Sequence, residues 1–80
     1  MKYTYYTSGT CSSQIDFEVD GNVIKQVFFT GGCHGNLQGI SRLVKGMSRE
    51  EAIAKLAGIK CGNKPTSCPD QLAQALKQMP

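Results

Sequence analysis

The residues of this 80-residue chain best suited to chemistry are its four cysteines, Cys11, Cys33, Cys61 and Cys68. They lie 22, 28 and 7 positions apart, so there is no Cys-x-x-Cys pair, and the spacing alone is a weak sign of a metal site. Four thiolates suit zinc or an iron–sulfur cluster, two thiols suit disulfide exchange, and buried thiols can be inert. Where the cysteines fall relative to the predicted helices and strands helps to choose among these chemistries.

Each cysteine falls at the end of a predicted helix or strand. Cys11 precedes an alternating strand, and Cys33 lies in the glycine-rich residues 31–35 ahead of the first helix. Cys61 and Cys68 flank the loop that opens the third helix. None lies in an apolar stripe, where structural cysteines usually pack as small hydrophobic residues. Cys33 and Cys68 also fall near predicted helix N-termini, which favour thiolates. We therefore favour a metal or cluster site over a redox pair or inert thiols.

His34 directly follows Cys33 and has three interpretations. It can replace a cysteine as a metal ligand, donate a hydrogen bond to a ligand, or stand in solvent as an ordinary loop residue. Catalytic carboxylates are not evident, because Glu50 and Glu51 are explained by helix capping. The glycine-rich loop lacks the Gly-Lys-Ser/Thr that follows in a phosphate-binding loop. We predict no catalytic residue.

Composition and charge exclude several classes of protein. Apolar residues make up 40% of the chain and the net charge is +3, which is ordinary for a globular domain. The lysines are scattered and aromatic residues are few, so nucleic-acid binding is not indicated. No apolar run approaches the roughly 18 residues of a membrane-spanning helix, and no secretory signal is evident. We expect a cytoplasmic protein, in a compartment where disulfides are rare and no membrane is bound.

The length predicts a single domain over residues 1–80. A chain of this size buries only about 60% of its unfolded surface, so its core alone contributes little stability. A structural metal site can contribute roughly 10 kcal/mol to folding. A metal held by the cysteines would therefore compensate for the small core.

The first third of the chain has the pattern of β-strands. Apolar residues alternate with acidic and polar ones over residues 14–20, which is typical of an antiparallel strand with one buried face. Residues 20–22, Asp-Gly-Asn, suit a hairpin turn into a strand over residues 23–30. Residues 3–7 are rich in tyrosine and threonine and suit a third strand. We predict a three-stranded antiparallel meander.

Helices are predicted after the glycine-rich loop. Ser48 and Glu51 form a capping box that starts the second helix, which Gly58 ends, and Ser67 caps the third. Strands followed by helices predict an α+β fold, a three-stranded antiparallel sheet with about three helices on one face. The predicted apolar stripe of the first helix comprises Leu37, Ile40, Leu43 and Val44.

Residues 66–70, Thr-Ser-Cys-Pro-Asp, spell the name of the TSCPD domain, and the chain resembles this family over nearly its whole length. That domain lies at the C-terminal end of some ribonucleotide reductases and also forms stand-alone four-cysteine proteins of this size. The resemblance implies an accessory or regulatory role in deoxyribonucleotide and DNA synthesis, with a reductase subunit as partner. The other matching blocks are Ser8-Gly9-Thr10-Cys11, Gly31-Gly32-Cys33-His34-Gly35-Asn36, Lys45-Gly46-Met47-Ser48 and Cys61-Gly62.

The reductase link does not make this chain an enzyme by itself. The radical chemistry of a reductase requires a much larger barrel and a radical-generating cofactor. The resemblance leaves open that Cys61 and Cys68 form a dithiol that passes electrons to a reductase. Six residues separate these two cysteines, which is a poor match to a reactive Cys-x-x-Cys pair.

A more distant resemblance is to the U-type scaffold proteins of iron–sulfur cluster assembly. Cys11, Cys33 and Cys68 match the three cluster cysteines of that family, and residues 45–52 match its central turn. This resemblance implies the fold of the scaffold, an iron–sulfur cluster as cofactor, and an iron–sulfur assembly protein as partner.

Three departures from the scaffold pattern affect the expected ligands. Ser13 stands where the scaffold has Asp, Ser67 stands where it has His, and Cys61 is an additional cysteine. A fourth thiolate in place of more labile ligands favours a closed site over one that releases its cluster. We predict a zinc site, with an iron–sulfur cluster as the alternative. Its ligands are Cys11, Cys33, Cys61 and Cys68.

Overall fold

The computed structural model describes residues 1–10, 12–32 and 34–79, with the side chain of His34 left out. The predicted α+β order is confirmed: three antiparallel strands precede three helices. None of the helices in these ranges is long and apolar enough to cross a membrane. The elements are β1 (Lys2–Tyr6), β2 (Ser12–Asp20), β3 (Val23–Gly31), α1 (His34–Val44), α2 (Arg49–Leu56) and α3 (Cys68–Lys77).

The sheet has the order β1-β2-β3, so β2 is central and β3 forms one edge. Phe17 of β2 lies opposite Tyr3 of β1 and Val27 of β3. The rings of Tyr3 and Phe17 stack with their centroids 5.4 Å apart. This register aligns most of the apolar residues of the three strands on one face, as the alternation in β2 predicts.

All three helices pack on that apolar face. Ile15 and Ile24 from the sheet and Leu72 and Leu76 from α3 are completely buried there. Leu37 and Val44 of α1 and Ala52 of α2 complete the same core, so the prediction of helices on one face is confirmed. The opposite face carries polar residues together with Phe28, which is 64% exposed.

The predicted helix starts at Ser48 and Ser67 are confirmed by their hydrogen bonds. The Oγ of Ser48 accepts a bond from the backbone N–H of Glu51 at 3.1 Å. The Oγ of Ser67 accepts one from the N–H of Asp70 at 3.2 Å. Gly58 follows α2 with φ of 86°, a left-handed conformation that glycine adopts without steric cost.

The prediction that Leu43 belongs to the core stripe of α1 is wrong, because its side chain is 72% exposed. A helix turns by about 100° per residue, which places Leu43 about 100° away from Val44 and outside the buried stripe. Leu37 and Val44 are buried and Ile40 is partly buried. Leu43 lies instead at the wall of a surface cleft.

Candidate functional site

A cleft of about 500 Å³ opens between α1 and the segment that joins α2 to α3. Leu37 and Ile40 of α1 and Ile59 of the joining segment form much of its apolar wall. Cys61 and Cys68 line the same cleft, which we call the cysteine cleft. Both are free thiols, Cys61 exposed and Cys68 partly buried. Two of the four predicted ligands therefore share one concave surface.

The start of α3 determines where Cys68 stands. Cys68 is the first residue of the helix and follows the N-cap residue Ser67. Pro69 comes next, in the first turn of the helix. The backbone N–H that proline lacks would have no acceptor within the helix at this position, so proline is tolerated there. The residues on both sides of Cys68 thus favour a helix that begins at the thiol, and this start places Cys68 in the cysteine cleft.

Asp70 joins the end of α2 to the start of α3. Its side chain is only 7% exposed. One carboxylate oxygen, Oδ1, accepts a hydrogen bond from the N–H of Gly58 at 2.7 Å, and the other accepts one from the hydroxyl of Thr66. Both hydrogen bonds lower the pKa of Asp70 below its ordinary value of 3.8, and the bond from Thr66 has the larger effect. The ionised carboxylate thereby holds together the two ends of the segment that carries Cys61.

Backbone hydrogen bonds fold that segment into a tight turn. The N–H of Cys61 donates to the carbonyl of Thr66 at 3.3 Å. The N–H of Lys64 donates to the carbonyl of Cys61 at 3.0 Å. Cys61 is therefore held by its own backbone as well as by the Asp70 contacts at the two ends of the segment.

Ser12 reaches Cys68 from the sheet. The side chain of Ser12 is 4% exposed, and its Oγ donates a hydrogen bond to the Sγ of Cys68 over 3.1 Å. The pairing of β2 with β3 shifts between Ser12 and Gln14, which leaves Ser13 as the extra residue of a β-bulge. In a strand without a bulge, Ser12 lies three positions before the buried Ile15, so regular alternation would turn it to the opposite face of the sheet. The bulge therefore aims Ser12 at the thiol.

The loop between β1 and β2 is bonded to the start of α3. The N–H of Ser8 donates to the side-chain oxygen of Gln71 at 3.2 Å, and the Gln71 amide donates to the hydroxyl of Thr66 at 3.0 Å. The hydroxyl of Thr10 donates to the carbonyl of Ser12 at 3.1 Å. These bonds hold the loop that contains Thr10 against the cysteine cleft, whose wall includes Thr10.

Cys11, Cys33 and the side chain of His34 lie outside the described residues, so their predicted roles stay predictions. Their neighbours in sequence are described, and both Thr10 and Gly35 line the cysteine cleft. Within the described part of the chain, no group of three or more His, Cys, Asp or Glu side chains is placed to hold a metal ion.

Gly32, which precedes Cys33 in sequence, is packed tightly against β2 and α1. A Cβ atom at this position would lie 2.8 Å from the Cδ1 of Leu37 and 3.3 Å from the backbone N of Ser12. Its φ of 78° is also one that favours glycine. A glycine is therefore required where the glycine-rich loop approaches Ser12.

The roles of two residues in this arrangement are not predicted from the sequence. The predicted cap at Ser67 marks the start of the helix but assigns no role to Asp70 or Ser12. The order Thr-Ser-Cys-Pro-Asp puts a hydroxyl just before the N-cap and a carboxylate in the first helical turn, which could have indicated a hydroxyl–carboxylate contact at this helix start. Ser12 carries no such signal, because its orientation depends on a bulge.

Comparisons with the curated proteins and with the solved structures gave no significant match. The resemblance to U-type scaffold proteins therefore stays a prediction. A comparison with protein families matches the TSCPD domain over residues 1–80. The structure puts residues 66–70, the Thr-Ser-Cys-Pro-Asp segment, at the start of α3 and beside the cysteine cleft. The chain belongs to the TSCPD domain family, whose small domain is linked to ribonucleotide reductases.

Proposed function

We propose that this chain is a small metal-binding module that serves a ribonucleotide reductase as an accessory protein. The observation that carries the proposal is the cysteine cleft, which Cys61 and Cys68 line together. A reductase subunit is the proposed partner, and His34 is an alternate ligand or a donor to a ligand. One zinc ion is held by Cys11, Cys33, Cys61 and Cys68.

The described neighbours of Cys11 and Cys33 support convergence of the four thiols. Thr10 is adjacent to Cys11, Gly35 is two positions from Cys33, and both line the cysteine cleft. Neighbouring Cα atoms are about 3.8 Å apart, so short connections suffice to reach the cleft.

Charges around the cysteine cleft suit a thiolate-bound metal. Four thiolates and one Zn²⁺ carry two net negative charges. Lys60 and Lys64 line the cleft, and no acidic residue does so among the described residues. Zinc in such a site supplies structural cross-linking rather than redox chemistry. Here it would connect the β1–β2 loop, the glycine-rich loop and the segment between α2 and α3.

Metal analysis of protein purified without oxygen tests this proposal. We expect about one zinc per chain and no visible absorption, because zinc in a thiolate site is colourless. Iron with acid-labile sulfide and a brown colour would support the iron–sulfur alternative instead. Protein that takes up neither zinc nor a cluster after reduction contradicts the proposal.

A second candidate function follows from the free thiols of Cys61 and Cys68 on one cleft. In this case the two thiols are oxidised to a disulfide, and their two electrons and two protons reduce a disulfide of the reductase to two thiols. Thiol titration with and without a chelator separates the candidates. Two thiols that react rapidly whether or not metal is removed favour the dithiol, whereas thiols that react only after chelation favour the metal site.

Replacing Ser12 by alanine tests whether its hydroxyl acts on the Cys68 sulfur. We expect protein loaded with cobalt(II) to show sulfur-to-metal charge-transfer bands at longer wavelength, because a thiolate without its O–H donor is the stronger electron donor. The free energy of unfolding should fall by about 1 kcal/mol, as for one lost hydrogen bond.

Ser13→Ala is the matched control, because Ser13 is the exposed extra residue of the same bulge. It should leave the cobalt spectrum unchanged. Identical spectra for Ser12→Ala and the wild type would show that the Ser12 hydroxyl does not affect the metal-bound sulfur.

A further inference from the structure

Among the described residues, the outward edge of β3 is paired only at its start. The N–H of Ile24 donates to the carbonyl of Met47 at 2.9 Å, and the N–H of Gly46 donates to the carbonyl of Ile24 at 2.8 Å. Val23 also forms an isolated antiparallel bridge with Ser48. The turn between α1 and α2 thus pairs with this edge as a short strand would, and the edge accepts an added strand at that point.

Beyond Ile24, the described residues leave this edge without a partner. β3 is the last strand of the sheet, and no described backbone segment apart from β2 pairs with residues 26–29. An edge strand carries alternate N–H and C=O groups that point away from the sheet, and these can pair with another extended chain.

A groove of about 290 Å³ runs between this edge and α1, and we call it the edge groove. Val27 and Phe29 of β3 and Leu37 of α1 are buried residues that line it. Arg42 and Lys45 of the helix side line it as well, and both are exposed. The groove combines backbone hydrogen-bonding groups, an apolar floor and a cationic wall.

The charge of the edge groove is uncompensated within the described chain. Neither Arg42 nor Lys45 forms an ion pair with a described residue, and no acidic side chain lines the groove. Asp16 and Glu18 belong to the opposite face of the sheet, where Asp16 accepts a bond from Thr4. An occupant with acidic side chains would therefore find two available cations.

We propose that the edge groove binds an extended peptide segment of a partner protein, which adds to β3 as a fourth strand and places a carboxylate against Arg42 and Lys45. Addition of a strand beside a helix takes its affinity from main-chain hydrogen bonds and its specificity from side-chain contacts. The backbone edge requires a polypeptide, and the two cations select an acidic one. This site shares Leu37 with the cysteine cleft but uses neither of its thiols and no metal.

Selection of displayed random nine-residue peptides on the immobilised wild-type protein tests the proposal. We expect enrichment of sequences with alternating β-branched or aromatic residues and at least one Asp or Glu. An enriched peptide, synthesised and titrated, should bind R42E/K45E at least about tenfold more weakly. Selection on R42E/K45E should instead enrich basic residues.

K2E/K25E is the matched control, because it makes the same change in net charge with residues that do not line the edge groove. It should bind the peptide like the wild type. N-methylation of alternate backbone nitrogens of the peptide tests strand addition directly. N-methylation at the positions whose N–H groups face β3 should abolish binding, whereas N-methylation at the intervening positions should not. No enriched peptide, equal binding by the two double variants, or indifference to N-methylation overturns the proposal.

Discussion

Serine at position 68 should remove zinc from the protein. Cys68→Ser replaces one of four proposed thiolate ligands with a hydroxyl, which zinc binds far less strongly at neutral pH. Structural zinc sites contribute roughly 10 kcal/mol to folding, so the loss of one ligand has the largest effect that we expect of any single substitution here. In reduced protein, zinc content should fall from about one per chain to near zero, and the melting temperature should fall with it.

Metal-free protein provides the control for this substitution. After chelation, Cys68→Ser and the wild type should differ in stability by no more than about 1 kcal/mol, since Ser12 can bond either side chain. Cys61→Ser should lose zinc to a similar degree, because the proposed site uses both residues. If Cys68→Ser keeps its zinc and its melting temperature, the proposed metal site is wrong.

Alanine in place of Asp70 should destabilise the protein by about 3 kcal/mol, with or without metal. The carboxylate is buried and accepts bonds from Gly58 and Thr66, and its removal leaves both donors without their acceptor. Chemical denaturation of the reduced protein measures the change. Because the lost bonds close the segment that carries Cys61, metal affinity should also fall.

The matched control is Asp16→Ala. Asp16 also accepts side-chain bonds, from Thr4 and Gln14, but it lies on the uncovered face of the sheet. Its loss should cost no more than about 1 kcal/mol, because water can replace the carboxylate there. Equal destabilisation by the two substitutions would contradict the role assigned to Asp70.

The same carboxylate predicts how stability depends on pH. The pKa of Asp70 is lower in the folded protein than in the unfolded chain, so folding favours its ionised form. Its contribution is complete above the unfolded pKa of about 4 and is lost as the pH falls through the folded pKa. Asp70→Asn should therefore show a smaller loss of stability than the wild type when both are acidified below about pH 4. Parallel pH profiles would contradict this assignment.

The sequence was sufficient to predict the three strands, their order in the sheet and the starts of two helices. Alternation in β2 and the Asp-Gly-Asn turn depend on residues only a few positions apart, and so do the caps at Ser48 and Ser67. Such patterns act within one or two turns of chain, so they can be read without knowing what packs against them.

Which apolar side chains are buried was harder to predict from the sequence. Leu43 belongs to the apolar stripe predicted for α1, but its side chain is exposed because the stripe that the core actually buries is narrower. Phe28 lies in a strand as predicted, yet it stands on the face that no described helix covers. Hydrophobicity indicates that a residue can be buried, whereas packing decides whether it is.

The sequence alone determined that α3 begins at Cys68, since this start is set by the local cap at Ser67. Only the tertiary structure decided which distant residues contact that cysteine. Ser12 and Cys68 are 56 positions apart and touch because a bulge turns one strand residue toward a helix start. Asp70 likewise reaches the end of another helix. Contacts between distant segments depend on the folded path of the whole chain, which no short pattern encodes.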